Sequence, residues 1–273
     1  MTTATDIEHA ATRAAHHPWL VGLTRAGLAG FGLLHLLVAW LAWRIAAGAP
    51  ADAGDQSGAF RALAGQPYGR VLVAAIGVGL LVMVSWQTLE ATVGHHDQDG
   101  GRRVVERLVS AGRAVVYLYL AITAGKVVLR VASSSADQQQ ATSGELMSHD
   151  GGRWLVGAGG VALALVGLGL VVHGVSRGFE DHLDTGRMSA TEQGTARVLG
   201  VLGYAAKGVA YGIAGVLLTA AAVTFDPGKA RGLDAALRAL AEQPHGGLLL
   251  GAVAAGLAAY AGHCFVQARY RRM

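Results

Sequence analysis

The sequence predicts an all-α integral membrane protein. Six transmembrane helices form three tandem two-helix repeats in a pseudo-threefold arrangement, with short amphipathic helices on the outer face. Two observations carry this expectation. Six apolar stretches lie near 23–46, 70–90, 110–131, 154–175, 199–223 and 247–267. Each is long enough to cross a hydrocarbon core of roughly 30 Å, which takes about 20 helical residues. The second observation is a repeated segment. Arg238-Ala239-Leu240-Ala241-Glu242-Gln243-Pro244-His245-Gly246 matches Arg61-Ala62-Leu63-Ala64-Gly65-Gln66-Pro67-Tyr68-Gly69 at seven of nine positions. A weaker copy, from Gly144 to Gly152, lies between them. Each copy separates two apolar stretches, so the repeating unit is span, polar segment, turn, span.

Composition agrees with this reading. Hydrophobic residues make up 52% of the chain and charged residues 15%, and the mean hydropathy is +0.40. The 40 glycines follow no Gly-X-Y period, which excludes collagen. Inside apolar spans they suit close helix–helix contact. The single cysteine, Cys264, excludes an intramolecular disulfide framework. The spans read as helices because a lone strand leaves its amides unpaired in lipid, and the alternation of a barrel is missing.

The chain divides into a polar segment at 1–22 and one membrane domain at 23–273, with repeats at 23–91, 108–176 and 199–270. The polar segment carries His9, His16 and His17 but no basic start or small-residue cleavage site, so the first span is expected to remain as an anchor. Orientation follows from Lys and Arg placement. Of the 22 such residues, 13 fall on the face bearing the termini and the loops near 91–109 and 176–198. Both termini are therefore expected in the cytoplasm, in a multi-pass cell-membrane protein.

The outward segments have helical character. Leu233, Ala236, Leu237 and Leu240 follow i, i+3, i+4, i+7 spacing, and Asp234 with Arg238 and Arg238 with Glu242 are i,i+4 pairs expected on the opposite face. Phe60 and Leu63 begin the same stripe in the first copy. The Gln-Pro step disfavours helix at the glutamine. Proline suits the start of the next helix, and Gly69 and Gly246 permit a sharp corner. In the middle copy Asp150-Gly151-Gly152 supplies the turn. The three segments are expected to cap the outer face.

The three units, the repeated Arg-Ala-Leu-Ala-x-Gln-Pro-x-Gly, the stretch Gly203-Tyr204-Ala205-Ala206-Lys207-Gly208 and the ending from Cys264 to Arg272 resemble a family of bacterial membrane proteins. It is the domain-of-unknown-function family numbered twelve hundred and six. The resemblance covers nearly everything after about residue 20 and implies six spans in three two-helix repeats. It implies no activity. The middle copy departs from the pattern, with no Gln-Pro and with Gly144 in place of the arginine.

Ionisable side chains within a bilayer cost roughly 2.5–3.5 kcal/mol each at its centre, so each needs an account. The candidate intramembrane polar site is His35, Glu90, Arg113 and Lys207. His35 is read as a neutral imidazole hydrogen-bonded to a neighbouring helix, against a proton relay or metal ligand. Lys207 either snorkels to the inner surface or pairs with Glu90, for which Arg113 is a competing partner. Arg25, Arg44, Lys126 and Arg130 lie near span ends and are expected to snorkel. His173 and His263 lie near inner span ends. Repeat alignment sets them one turn apart, which disfavours paired haem ligation, and no cofactor or metal is expected. The loop clusters His16-His17 and His95-His96-Asp97 are read as solvated. Gly208 with Gly212 and Gly247 with Gly251 are expected as helix-packing faces. Tyr117, Tyr119, Tyr204 and Tyr211 gather on the odd spans.

No Gly-x-Ser-x-Gly, His-Glu-x-x-His or P-loop occurs, so no catalytic motif supports an enzyme. Two functions are expected. One is binding or passage of an anionic lipid or small anion between the repeats, because the odd spans carry His35, Arg113, Lys126 and Lys207. The other is a non-catalytic scaffold with a membrane protein partner. Membrane lipids are the expected partners in either case, and nucleic acid is not.

Overall fold

The structure, a computed structural model, describes residues 18–49, 53–94, 100–131 and 134–271. The histidines of the N-terminal segment and the His95-His96-Asp97 cluster lie outside the described residues. Six long apolar helices have the length and composition to cross a membrane. They are α1 (Pro18–Ala46), α3 (Gly69–Val93), α4 (Gly100–Val128), α6 (Gly152–Val175), α7 (Ala190–Thr224) and α9 (Gly246–Tyr270). Three short helices sit between the spans of each repeat: α2 (Gln56–Ala64), α5 (Ser135–Met147) and α8 (Gly232–Ala241). They share one face, the cap face. The described chain begins and ends at the other, the terminal face.

Two segments expected as loops on the terminal face are largely helical. α4 begins at Gly100 and α7 at Ala190, well before the apolar residues start. Hydropathy reports only the part of a helix that meets lipid, and nothing at these positions breaks the helix. At α7 the start is encoded. The Ser189 side chain accepts from the Glu192 backbone N–H, and the Glu192 carboxylate accepts from the Ser189 N–H, which forms a capping box. At 35 residues, α7 is about 52 Å long and projects beyond a bilayer core.

The even span of each repeat packs on the odd span of the next. α3 lies against α4, α6 against α7, and α9 closes the circle against α1. Within repeats one and three the two spans also pack together, α1 with α3 and α7 with α9. Within the middle repeat, α4 and α6 make at most marginal contact. The ring of six helices therefore has one open seam.

Glycine sets the close approaches. A Cβ on Gly208 would meet the Gly167 carbonyl oxygen at 2.5 Å, and one on Gly167 would meet the Gly212 nitrogen at 2.5 Å. Gly247 and Gly251 face α1 more loosely, with Ala46 O at 3.1 Å and Trp43 Cζ3 at 3.7 Å from the corresponding positions.

The cap helices interlock. Asp55, buried at the N-cap of α2, accepts from Ser57 Oγ at 2.7 Å, from its own helix at Gly58 N (2.9 Å) and from Ala136 N of α5 (3.0 Å). Ser57 Oγ accepts from Ser135 N at 2.9 Å. Asp234 of α8 is fully buried and accepts from Gly54 N at 2.8 Å, just ahead of α2. Arg231 contacts Asp234 at 3.4 Å and reaches α5 at Asp137 and Gln140, each 2.9 Å away. Asp234 pairs with Arg238 at 3.0 Å as the spacing predicts. The expectation that it lies on the face opposite the apolar stripe is corrected: its carboxylate turns inward, where the Gly54 backbone N–H of another repeat donates to it. No Arg238–Glu242 pair forms among the described residues.

The corners also differ in detail from the expectation. The left-handed residue is the one before each expected glycine: Tyr68 (φ 60), Gly151 (φ 79) and His245 (φ 62). Pro67 and Pro244 stand in the turn, ahead of the first helical residue. Gly69, Gly152 and Gly246 are needed for space, since a Cβ at each would collide with Leu63 O, Leu146 O and Ala241 O. Gly246→Ala is expected to destabilise the protein by about 1–3 kcal/mol, read as a lower melting temperature in micelles. An unchanged melting temperature would contradict the close approach.

Candidate functional site

A cavity of about 620 Å³ opens between the repeats in the half of the bundle nearer the terminal face. The odd spans bring Phe31 of α1, Arg113 and Tyr117 of α4, and Tyr204, Lys207 and Tyr211 of α7 to it. The even spans add Gln87, His173, Tyr260 and Gln267, and the segments beyond them add His182 and Arg271. Val105, Leu108, Val109, Val116, Val166 and Leu170 form an apolar wall on either side of the α4–α6 seam.

Lys207 is 8% exposed. Its ammonium lies 4.1 Å from the Tyr260 ring centroid, 5.1 Å from Phe31 and 5.6 Å from Tyr211. Three ring faces thus supply negative potential where water cannot. No carboxylate pairs with Lys207 among the described residues, so the Glu90 pairing is not formed. Glu90 does not line the cavity and lies within electrostatic reach of Arg271. Arg113 does line it and lies in electrostatic range of Lys207.

His35 is buried beside this cage, against Phe31 at 4.3 Å and Tyr260 at 4.8 Å between ring centroids. Its Nδ1–H donates to Phe31 O at 2.9 Å, one turn back on its own helix. The expectation of a bond to a neighbouring helix is corrected. The i−4 carbonyl lies in reach of the ring, and the neighbouring helix presents aromatic faces.

His173 and His263 share one aromatic cluster. The Tyr204 ring lies 4.9 Å from His173 and 5.6 Å from His263. Phe179, fully buried, packs against both imidazoles and stacks on Tyr204 at 5.7 Å. Gln267 Nε2 lies 3.2 Å from His263 Nε2, oriented to donate to it. Protein rings thus pack on both imidazoles, enclosing His263 and leaving His173 at the cavity wall.

At the terminal-face end of the cavity, burial draws the Arg271 guanidinium below its ordinary range, and it remains charged at neutral pH. His182 is lowered from 6.5 by burial first, then by Arg271, Arg113 and His173, with Glu106 opposing. Arg113, Lys207 and Arg271 are cationic, and the described lining contains no carboxylate. In the sequence Arg271 reads as part of a basic tail, and Phe31, Tyr260, Gln87, Gln267 and His182 carry no sign of a role. Register between the repeats is the signal that finds Phe31.

The Domain of Unknown Function family DUF1206 matches residues 26–94, 108–177 and 202–271. The chain is 32% identical over 257 residues to the uncharacterized protein YxxB of Bacillus subtilis (strain 168), covering 94% of this chain and 93% of that protein. No solved structure matches. The three matched segments fix the register. Their sixth positions are Phe31, Arg113 and Lys207, and their tenth positions are His35, Tyr117 and Tyr211. Phe31, Arg113 and Lys207 thus share one repeat position, a ring in the first unit and a cation in the second and third. Three tandem matches covering most of the sequence, together with the six apolar helices, show that the chain belongs to the DUF1206 family.

Proposed function

We propose that the protein binds an anionic amphiphile, with a phosphate-type oxyanion held in the inter-repeat cavity. The observation that carries this reading is the described lining: three cations, two glutamines and no carboxylate, beside an apolar wall. Guanidinium groups suit phosphate because their donors are planar and forked. Low local dielectric strengthens such contacts, and the ring cage around Lys207 holds its charge when the cavity is empty. With the terminal face in the cytoplasm, the headgroup comes from the cytoplasmic leaflet.

The test is native mass spectrometry of protein released from vesicles of mixed phosphatidylglycerol and phosphatidylcholine, with inorganic phosphate added in a second arm. Phosphatidylglycerol is expected to be retained at one per chain with at least a tenfold preference. Displacement by millimolar phosphate identifies a simple oxyanion site, and resistance to it identifies lipid. Equal retention of both lipids, with no displacement by phosphate, would overturn the proposal.

A pH dependence follows from His182. Without ligand its lowered pKa leaves it neutral at pH 7. A bound anion offsets the field of Arg271 and Arg113 and raises that pKa. By linkage, the ligand binds more tightly as pH falls through the His182 titration below neutrality. Dihexanoyl phosphatidylglycerol, whose phosphodiester stays ionised throughout, is expected to bind more tightly at pH 5.5 than at pH 7. His182→Gln is expected to weaken that gain, and an identical profile in the variant contradicts the coupling.

A further inference from the structure

We infer that the seam between α4 and α6 is a lateral portal through which an acyl chain of the bound lipid reaches the bilayer. This rests on the anion-binding reading above and adds the route and the class of tail.

The seam has a cause in the sequence. In repeats one and three, glycines let the two spans approach. A Cβ on Gly27 would meet Gly79 O at 2.7 Å, one on Gly203 would meet Tyr260 Cα at 2.5 Å, and one on Gly256 would collide with Ala206. In the family register the middle repeat carries Val109 where the others have Gly27 and Gly203, and Ala162 where they have Gly79 and Gly256. The register also sets Gly169 opposite Trp86 and His263, both buried. His263 packs on Tyr204 of the odd span in its own repeat. Gly169 has no ring to offer there, and a Cβ on it meets nothing within 4 Å. The middle repeat therefore lacks both the glycines that draw its spans together and the ring that fills the space between them.

The seam is apolar and connects to the charged cavity. Val109 of α4 and Val166 of α6 line that cavity and are 40% and 52% exposed. Gly112, on the same wall, also has open space at its Cβ. A headgroup at Arg113 and Lys207 thus has an apolar way out at membrane depth. A free inorganic anion has no use for such an opening, which commits the occupant to a lipid of the surrounding leaflet.

The experiment refills the seam. Gly169→Trp restores the bulk that the other repeats carry, and Ala162→Phe fills the seam from a second position on α6 that does not line the cavity. Each is compared with Gly169→Ala, and two probes are used: dioleoyl phosphatidylglycerol and chain-free glycerophosphoglycerol. Both filled variants are expected to lose at least tenfold in retention of the long-chain lipid, while glycerophosphoglycerol binds within about twofold of the unmodified protein. Gly169→Ala is expected to behave as unmodified. If the filled variants fold and retain the long-chain lipid undiminished, the portal is refuted and the cavity reading stands. If neither probe binds the unmodified protein, the cavity reading itself fails. Should Gly169→Trp fail to fold, Ala162→Phe decides the question alone.

Discussion

Asp234→Ala is expected to destabilise the protein by about 2–4 kcal/mol, the largest stability loss of any substitution discussed. The carboxylate is fully buried and accepts from Gly54 N, Arg231 and Arg238. Its removal leaves a backbone N–H of the first repeat without its partner and the Arg238 guanidinium without its anion, while Arg231 keeps Asp137. The range is set below that of a wholly buried ion pair because Arg231 and Arg238 are 31% and 47% exposed and keep part of their hydration. Asp234→Asn retains an acceptor for Gly54 N and loses the charge, so it is expected to fall between wild type and alanine. Thermal unfolding in micelles reads both. The same contact ties α8 to α2, so the alanine variant is also expected to expose the 53–65 segment to protease. Equal stability of all three proteins would show that Asp234 does not hold α8 to the first repeat.

Lys207→Met is expected to separate stability from binding. The buried ammonium faces three rings and no carboxylate among the described residues. Cation–π contacts return about 2 kcal/mol when desolvated, against a burial penalty of several kcal/mol. Methionine keeps most of the volume and removes the charge, so the ligand-free variant is expected to melt at or above the wild-type temperature. Retention of phosphatidylglycerol is expected to fall at least tenfold, because a desolvated charge–phosphate contact exceeds about 1.4 kcal/mol. Lys207→Arg is expected to retain binding in part, since the guanidinium remains cationic but is too broad for the ring cage. A variant that loses stability and keeps its lipid would reverse both signs and assign Lys207 to the fold alone.

The spans and their threefold repetition were legible because lipid imposes a length and a composition that hydropathy reads directly. The capping helix α8 was legible from its stripe, and the Asp234–Arg238 pair from its spacing. The burial of Asp234 was not, since its acceptor role depends on Gly54, which lies 180 residues away in the chain. The terminal-face extensions of α4 and α7 were missed where polar residues continue a helix past the membrane, although Ser189 and Glu192 spell the start of α7. Arg113 and Lys207 were singled out by the cost of charge in lipid. Phe31 and Tyr260 were not, because an apolar ring gives no sign in sequence that it faces a cation. The open seam lay in the sequence as well, at Val109, Ala162 and Gly169, but a substitution of glycine by valine has meaning only once the repeats are placed in register.

The most direct measurement is a single-particle density map of the protein in nanodiscs containing phosphatidylglycerol. The account predicts headgroup density bounded by Arg113, Lys207 and Arg271, continuous with a tail that leaves between α4 and α6. A cavity holding only water or closed by its own side chains, with lipid confined to the outer perimeter of the helices, would contradict it.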